Sequence, residues 1–260
     1  MKKKFFSGLL AVLLVCLPVT AQAQIEQQAS AGQKTYLASN TWTVAFAELG
    51  GLDNVRNLAP ANLVHPPEYE LTPSDIKALS TCSLFIYAGY EVMMKTLGDS
   101  TLPQDKMVKI TTTNDLATVK SSAAIIAKKA GTEVISEKRV AAYEQMIIAA
   151  RKMVKDQGLD KLSCYVNSHQ VDFAKDIGLD VKGTFGPGPV TPAQIKEAKD
   201  GKFDLIIDNI HNPLANPLCE VSLNSKLIVW RNFPENLGPD ALLKMEQANI
   251  QELSEAFQKQ

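Results

Sequence analysis

The chain has 260 residues, 45% of them hydrophobic and 21% charged, with 14 glycines and 13 prolines. This balance excludes a collagenous, disordered or strongly basic nucleic-acid-binding chain, and a formal charge of −1 gives no pull toward an anionic membrane. At about 150 residues per domain, the length suits one large or two medium units.

The first 23 residues read as a cleaved signal peptide. Lys2, Lys3 and Lys4 form a positive start, Phe5 to Val19 is apolar, and Ala21-Gln22-Ala23 gives the small-x-small pattern of a cleavage site. Cys16 raises lipidation as an alternative, against which stands Val15 where a small residue is expected. Loss of the three lysines takes the net charge from −1 to −4. Export makes one disulfide among Cys82, Cys164 and Cys219 chemically open, but each lies in or beside an apolar run and reads as a buried thiol.

Short apolar segments then alternate with helical ones. Lys34–Ser39, Leu84–Ala88, Met107–Ile110, Leu162–Val166, Val181–Phe185, Asp204–Ile207 and Leu227–Trp230 have strand length and composition. Thr72-Pro73-Ser74-Asp75 is a helix start, with a capping hydroxyl, proline at the first turn and an acid three residues on; Thr191-Pro192-Ala193-Gln194 repeats the device. Strands separated by helices predict βαβ units and mainly parallel sheets. From Glu137 to Gln157, Val140, Tyr143, Met146, Ile147, Ala150, Met153 and Val154 recur at helical spacing without glycine or proline. The prediction is an α/β fold of two lobes, each a small mainly parallel sheet flanked by helices, joined by one long backbone helix. The boundaries are 24–131 for the first lobe, 132–157 for the linking helix and 158–260 for the second lobe. A ligand is expected in the cleft where the carboxyl ends of the strands face each other.

Enzyme templates are missing: there is no G-x-S-x-G, no H-E-x-x-H and no phosphate-binding glycine loop. Gly183-Thr-Phe-Gly-Pro-Gly-Pro189 reads as a stiff loop at a strand end, its prolines removing amide donors. Trp42 and Trp230 read as core or interface residues, Met93 and Met94 as core filler, and Lys128-Lys129 as a solvated helix end.

Three stretches carry a family resemblance. They are Tyr69-Glu-Leu-Thr-Pro-Ser-Asp75-Ile-Lys-Ala-Leu with Ala-Gly-Tyr-Glu91; Cys164-Tyr-Val-Asn-Ser-His169 with Phe173-Ala-Lys and Gly178-Leu; and Phe203-Asp-Leu-Ile-Ile-Asp208-Asn-Ile-His-Asn-Pro213, with Asn249 in the last helix. In these the chain resembles the zinc/manganese-type substrate-binding proteins of ABC importers, over nearly the whole mature sequence. The resemblance implies a two-lobed fold with a long backbone helix, a divalent metal ion (Zn or Mn) as transported ligand, an ABC transporter permease as partner, a periplasmic or secreted location and no catalysis. A monomer that binds no nucleic acid is expected.

The family's ligand set transfers in part. The position two residues before Tyr69 is Pro67, with His65 as the nearest histidine. The segment 111–116 holds no histidine, and no acid stands at Arg231-Asn232. His169 and Asp208 match, so the resemblance implies metal ligation by His65, His169 and Asp208, with Glu68 and Glu91 as substitute carboxylates. His211 reads as a loop histidine. The alternatives are a metal chelate or other small solute held between Tyr69, Tyr90, Trp42 and the Gly186–Pro189 loop, and a secreted enzyme pairing His169 with Asp208.

Overall fold

β-Branched and aromatic runs form eight short strands, and their order repeats. In the computed structural model, β1 (Tyr36–Ala38), β2 (Arg56–Asn57), β3 (Leu84–Tyr87) and β4 (Met107–Lys109) form a parallel sheet of order β2-β1-β3-β4. β5 (Ser163–Asn167), β6 (Asp180–Phe185), β7 (Leu205–Asn209) and β8 (Lys226–Trp230) form a second parallel sheet of order β6-β5-β7-β8. The fold class is therefore the predicted α/β arrangement of two parallel sheets. β2 has no counterpart in the sequence reading, because two residues carry no periodicity. The structure describes residues 34–63, 65–97, 102–238 and 240–258. The signal-peptide segment 1–23 and Cys16 lie outside the described residues, while Thr35–Gln260 makes one compact unit.

Both predicted helix starts are reciprocal capping boxes. Thr72 caps α2 (Pro73–Thr81) with Asp75 answering, and Thr191 caps α7 (Pro192–Asp200) with Gln194 answering. α1 (Thr41–Leu49) starts on Asn40, and α3 (Met93–Thr96) follows β3. α4 (Leu116–Ala130) ends on Gly131 at φ 75°, a left-handed cap that glycine adopts without steric cost. α5 (Glu133–Asp156) is the long helix between the two sets of strands. α6 (Val171–Asp176), α8 (Asn216–Cys219) and α9 (Ala241–Phe257) complete the described helices, none of which is long and apolar enough to cross a membrane.

The period of two along each strand divides the apolar residues between layers. In β3, Leu84 and Ile86 join an inner core while Phe85 joins an outer one under α2 and α3. In β5 and β7, Cys164, Val166, Leu205 and Ile207 face the inner core, and Tyr165 and Ile206 the outer. The inner core is continuous. It takes Val44 and Phe46 of α1, Ile126 of α4, Tyr143 and Ile147 of α5, Trp230 of β8 and Leu253 of α9, so the inner faces of both sheets share one apolar interior. The helix α9 packs on β8, α5 and α1. Met93, the first residue of α3, is buried in the outer core, and Trp230 packs edge-on against Phe173 at 5.5 Å in the inner one. Cys82, Cys164 and Cys219 are free thiols, with burial raising each pKa.

One polar chain crosses this interior. Trp42 Nε1 donates to Asn114 Oδ1 at 2.8 Å, and Tyr143 donates its hydroxyl to the Asn114 carbonyl. Asn114 Nδ2 donates to Glu246 Oε1 at 2.6 Å, and Asn249 Nδ2 donates to Glu246 Oε2 at 2.8 Å. Glu246 is fully buried, and desolvation raises its pKa to about 8 despite the two amide donors. The folded state thus keeps this proton until about pH 8, whereas the unfolded chain releases it near 4.5. Its contribution to stability is complete below 4.5 and is lost as the pH rises toward 8. We expect stability to fall across that window by roughly 3 kcal/mol at pH 7 from this group. Glu246→Gln gives up one amide contact but cannot ionise, so denaturant titrations from pH 5 to 8 should show a flatter slope than the wild type. Parallel slopes would place the titrating group elsewhere.

Candidate functional site

In parallel sheets the carboxyl ends of the strands collect at one edge, and here both sheets contribute theirs to a single cavity of about 680 Å³. Asn40 and Trp42 follow β1, Ala88 and Tyr90 follow β3, and Lys109–Thr113 end and follow β4. His169 follows β5, Pro187 follows β6, Asn209 and His211 end and follow β7, and Asn232 and Phe233 follow β8. His65 enters on the loop after β2. The sequence has three histidines, and all three line this cavity.

Each histidine is placed by local backbone chemistry. His65 precedes a single 3₁₀ turn, Pro66–Glu68, whose prolines fix φ, and Val92 N–H donates to the Pro67 carbonyl at 2.8 Å, tying this loop to the end of β3. His169 and His211 use the same device twice. Asn167 at the end of β5 accepts the His169 amide on Oδ1 at 3.1 Å, and Asn209 at the end of β7 accepts the His211 amide at 2.8 Å. Such Asx turns close off the strand, and because β5 and β7 are adjacent and parallel they set both rings on one rim. Asn-x-His therefore occurs twice, as Asn167-Ser-His169 and Asn209-Ile-His211. That repetition is the sequence signal for His211, which a reading of isolated histidines passes over.

His211 is the most constrained. Its ring stacks on Phe233 with centroids 3.6 Å apart, while its buried Nε2 has no partner. Desolvation lowers its pKa to about 4, with the neighbouring His65 adding a smaller push in the same direction. Burial also lowers the His169 pKa. Both rings are neutral at pH 7, the form in which imidazole offers a lone pair to a metal. Two further buried polar atoms on lining residues lack partners, Asn209 Nδ2 and Asn232 Oδ1.

The carboxylates stand elsewhere. Asp208 is 4% exposed and does not line the cavity. Its Oδ1 accepts from Asn167 Nδ2 and from the Asn209 amide, and its Oδ2 accepts from the Leu214 and Ala215 amides at 2.9 and 2.8 Å. Among the described residues no hydrogen bond joins it to His169. Glu91, also buried, accepts from Ser39 Oγ, the Ala88 amide and the Gly89 amide, which closes the turn after β3. Tyr69 donates its hydroxyl to Asp75 at 2.8 Å within the α2 cap. Glu68 is exposed and, like Glu91 and Tyr69, is not part of the lining. Of the residues named from sequence, the cavity therefore collects His65 and His169 with Trp42, Tyr90 and Pro187, while Asp208 holds backbone behind it. Among the described residues, no three of His, Cys, Asp and Glu stand close enough to hold an ion together.

No protein-family model and no curated protein matches this chain. Solved structures do. A mutant form of the laminin-binding adhesin Lmb of Streptococcus agalactiae superposes with a TM-score of 0.67 at 16% identity, covering 87% of this chain and 100% of the other. The SBP FpvC of P. aeruginosa in complex with Ni²⁺ gives 0.67 at 15% identity, covering 86% and 97%. An S38A mutant of a Mn-bound periplasmic metal binding protein from Candidatus Liberibacter asiaticus gives 0.65 at 15% identity, covering 87% and 100%. The chain therefore shares the α/β fold of these proteins, with its two parallel sheets flanked by helices.

Proposed function

We propose that this protein is an extracytoplasmic solute-binding protein that captures a divalent metal cargo of the zinc or manganese type and delivers it to an ABC transporter permease. No bond is made or broken: the ion exchanges part of its hydration shell for imidazole nitrogen. One or two imidazoles meet the ion at a time, since no three stand close enough to hold it together: His65 on the side of the first sheet, His169 and His211 on the rim of the second. The observation that carries the reading is the gathering of every histidine in the sequence at one cavity, at the carboxyl ends of two sheets in a fold shared with proteins described as metal-bound. The buried, unpartnered and neutral His211 nitrogen supports it further. Asp208 and Glu91 act behind the site, fixing the strand ends that present these rings.

Thermal unfolding of mature, chelator-stripped protein tests this directly. A ligand at 100 times its Kd adds about 2.7 kcal/mol, which at this size raises the midpoint by roughly 5–10 °C. We expect a rise of that order with at least one of Zn²⁺, Mn²⁺, Fe²⁺ and Ni²⁺, offered alone or with an organic chelator. Flat curves under all of these conditions would remove the metal reading.

A further inference from the structure

Resting on that reading, the charge and size of the cavity specify the form in which the metal arrives. Neutral imidazoles leave the charge of a divalent cation uncompensated, and among the described residues no aspartate or glutamate lines this cavity to offset it. The lining instead carries a cation, Lys109, at the end of β4. Its side chain lies across Gly89, where an added methyl group would stand 2.7 Å from Lys109 Cε. Gly89 at φ 98° thus serves two ends, the left-handed turn after β3 and the passage of the lysine stem. Among the described residues no ion pair joins a carboxylate to Lys109, and Glu91 after β3 is held by Ser39 and two backbone amides.

Size points the same way. Six waters around an ion fill about 180 Å³ at ~30 Å³ each. A cavity of about 680 Å³ is far larger and falls in the range of organic-ligand pockets. Its walls are those of such a pocket: the Trp42 ring lies 6.0 Å from Phe233, with Pro66, Ile110 and Pro187 nearby in the lining.

We propose that the cargo is a complex of the metal with a small carboxylate-bearing organic chelator. The chelator's oxygens supply the anionic ligands that the protein lacks, and imidazole completes the coordination. A chelator carboxylate meets Lys109, while the body of the chelator lies along the apolar wall that Trp42, Phe233, Ile110 and Pro187 line.

Calorimetric titration of mature, chelator-stripped protein separates the cases, using Zn²⁺ alone, Zn²⁺–citrate, Zn²⁺–nitrilotriacetate and each chelator alone. We expect at least one of the two complexes to bind about tenfold or more tighter than Zn²⁺ alone, the scale of a charge-assisted contact. Lys109→Ala should weaken that complex by about tenfold and tighten the capture of Zn²⁺ alone, because a like charge has gone. The inference is overturned if both chelators merely compete with the protein for Zn²⁺, or if a chelator binds equally well without metal. A different result, no Zn²⁺ binding with or without chelator and no effect of His169→Ala or His211→Ala, would remove the metal reading itself.

Discussion

Replacing His211 with alanine should cost more metal affinity than any other single change in the cavity, raising the Kd for Zn²⁺ or its complex by about a hundredfold or more. Loss of an outer-sphere partner of a metal site typically costs roughly 10- to 100-fold, and direct loss of a donor costs at least as much. Three features set His211 apart from the other two rings. Stacking on Phe233 limits its orientation before any ligand arrives, so little rotamer entropy is lost on binding. Its Nε2 is buried and without a partner, so a small turn of the ring edge into the cavity that brings it onto the metal relieves an atom otherwise costly to bury. Its pKa of about 4 removes competition from protons at neutral pH. His65 and His169 are exposed and must be ordered, so we expect smaller losses of about tenfold for His65→Ala and His169→Ala. Competition titrations with a chromophoric chelator, on variants whose unfolding midpoints lie within a few degrees of the wild type, give these ratios. An unchanged Kd for His211→Ala would exclude this ring as a ligand.

The difference between His211 and the residues named from sequence shows what a single chain exposes and what it conceals. Strand and helix identities follow from local chemistry, and both threonine-proline helix starts fold as reciprocal caps because every partner lies within three residues. The parallel order follows as well, since helices between strands force crossovers. The shared inner core was not legible: it depends on α9, near the carboxyl end, packing against α1, roughly 200 residues away, and no periodicity records such a pairing. The site divides in the same way. Motif matching finds His169 and Asp208 at the ends of β5 and β7 because both positions are local to a strand. Which of Asp208 and His211 faces the cavity depends on the turn that follows β7, and that turn is decided by backbone amides six and seven residues on, at Leu214 and Ala215. Lys109 passes unnoticed because a lysine at a strand end is ordinarily solvated. It gains meaning from the glycine opposite and from the absence of acids around it.

Asp208→Asn should therefore separate stability from binding. The carboxylate receives the Asn167 side chain, the Asn209 amide and the Leu214 and Ala215 amides, all as donors, so it has no role open to a new N–H. An asparagine of the same volume turns one accepting oxygen into a donor that faces donors, leaving at least one buried N–H without a partner. That costs roughly 2–4 kcal/mol, or about 5–15 °C in midpoint at this chain length. The loss falls on the loop between β7 and α8, behind the rim rather than in it. At a temperature well below the variant's midpoint, its metal Kd should stay within about threefold of the wild type. Glu91 holds the same place in the first sheet, closing the end of β3 through the Ala88 and Gly89 amides and reaching Ser39 after β1. Glu91→Gln should accordingly behave alike, with a large loss of midpoint and a small change in affinity. The opposite pattern in Asp208→Asn, an unchanged midpoint with a hundredfold rise in Kd, would make that carboxylate a ligand. It would mean that the β7–α8 turn rearranges when metal binds, bringing into the cavity the acid that the present arrangement holds behind it.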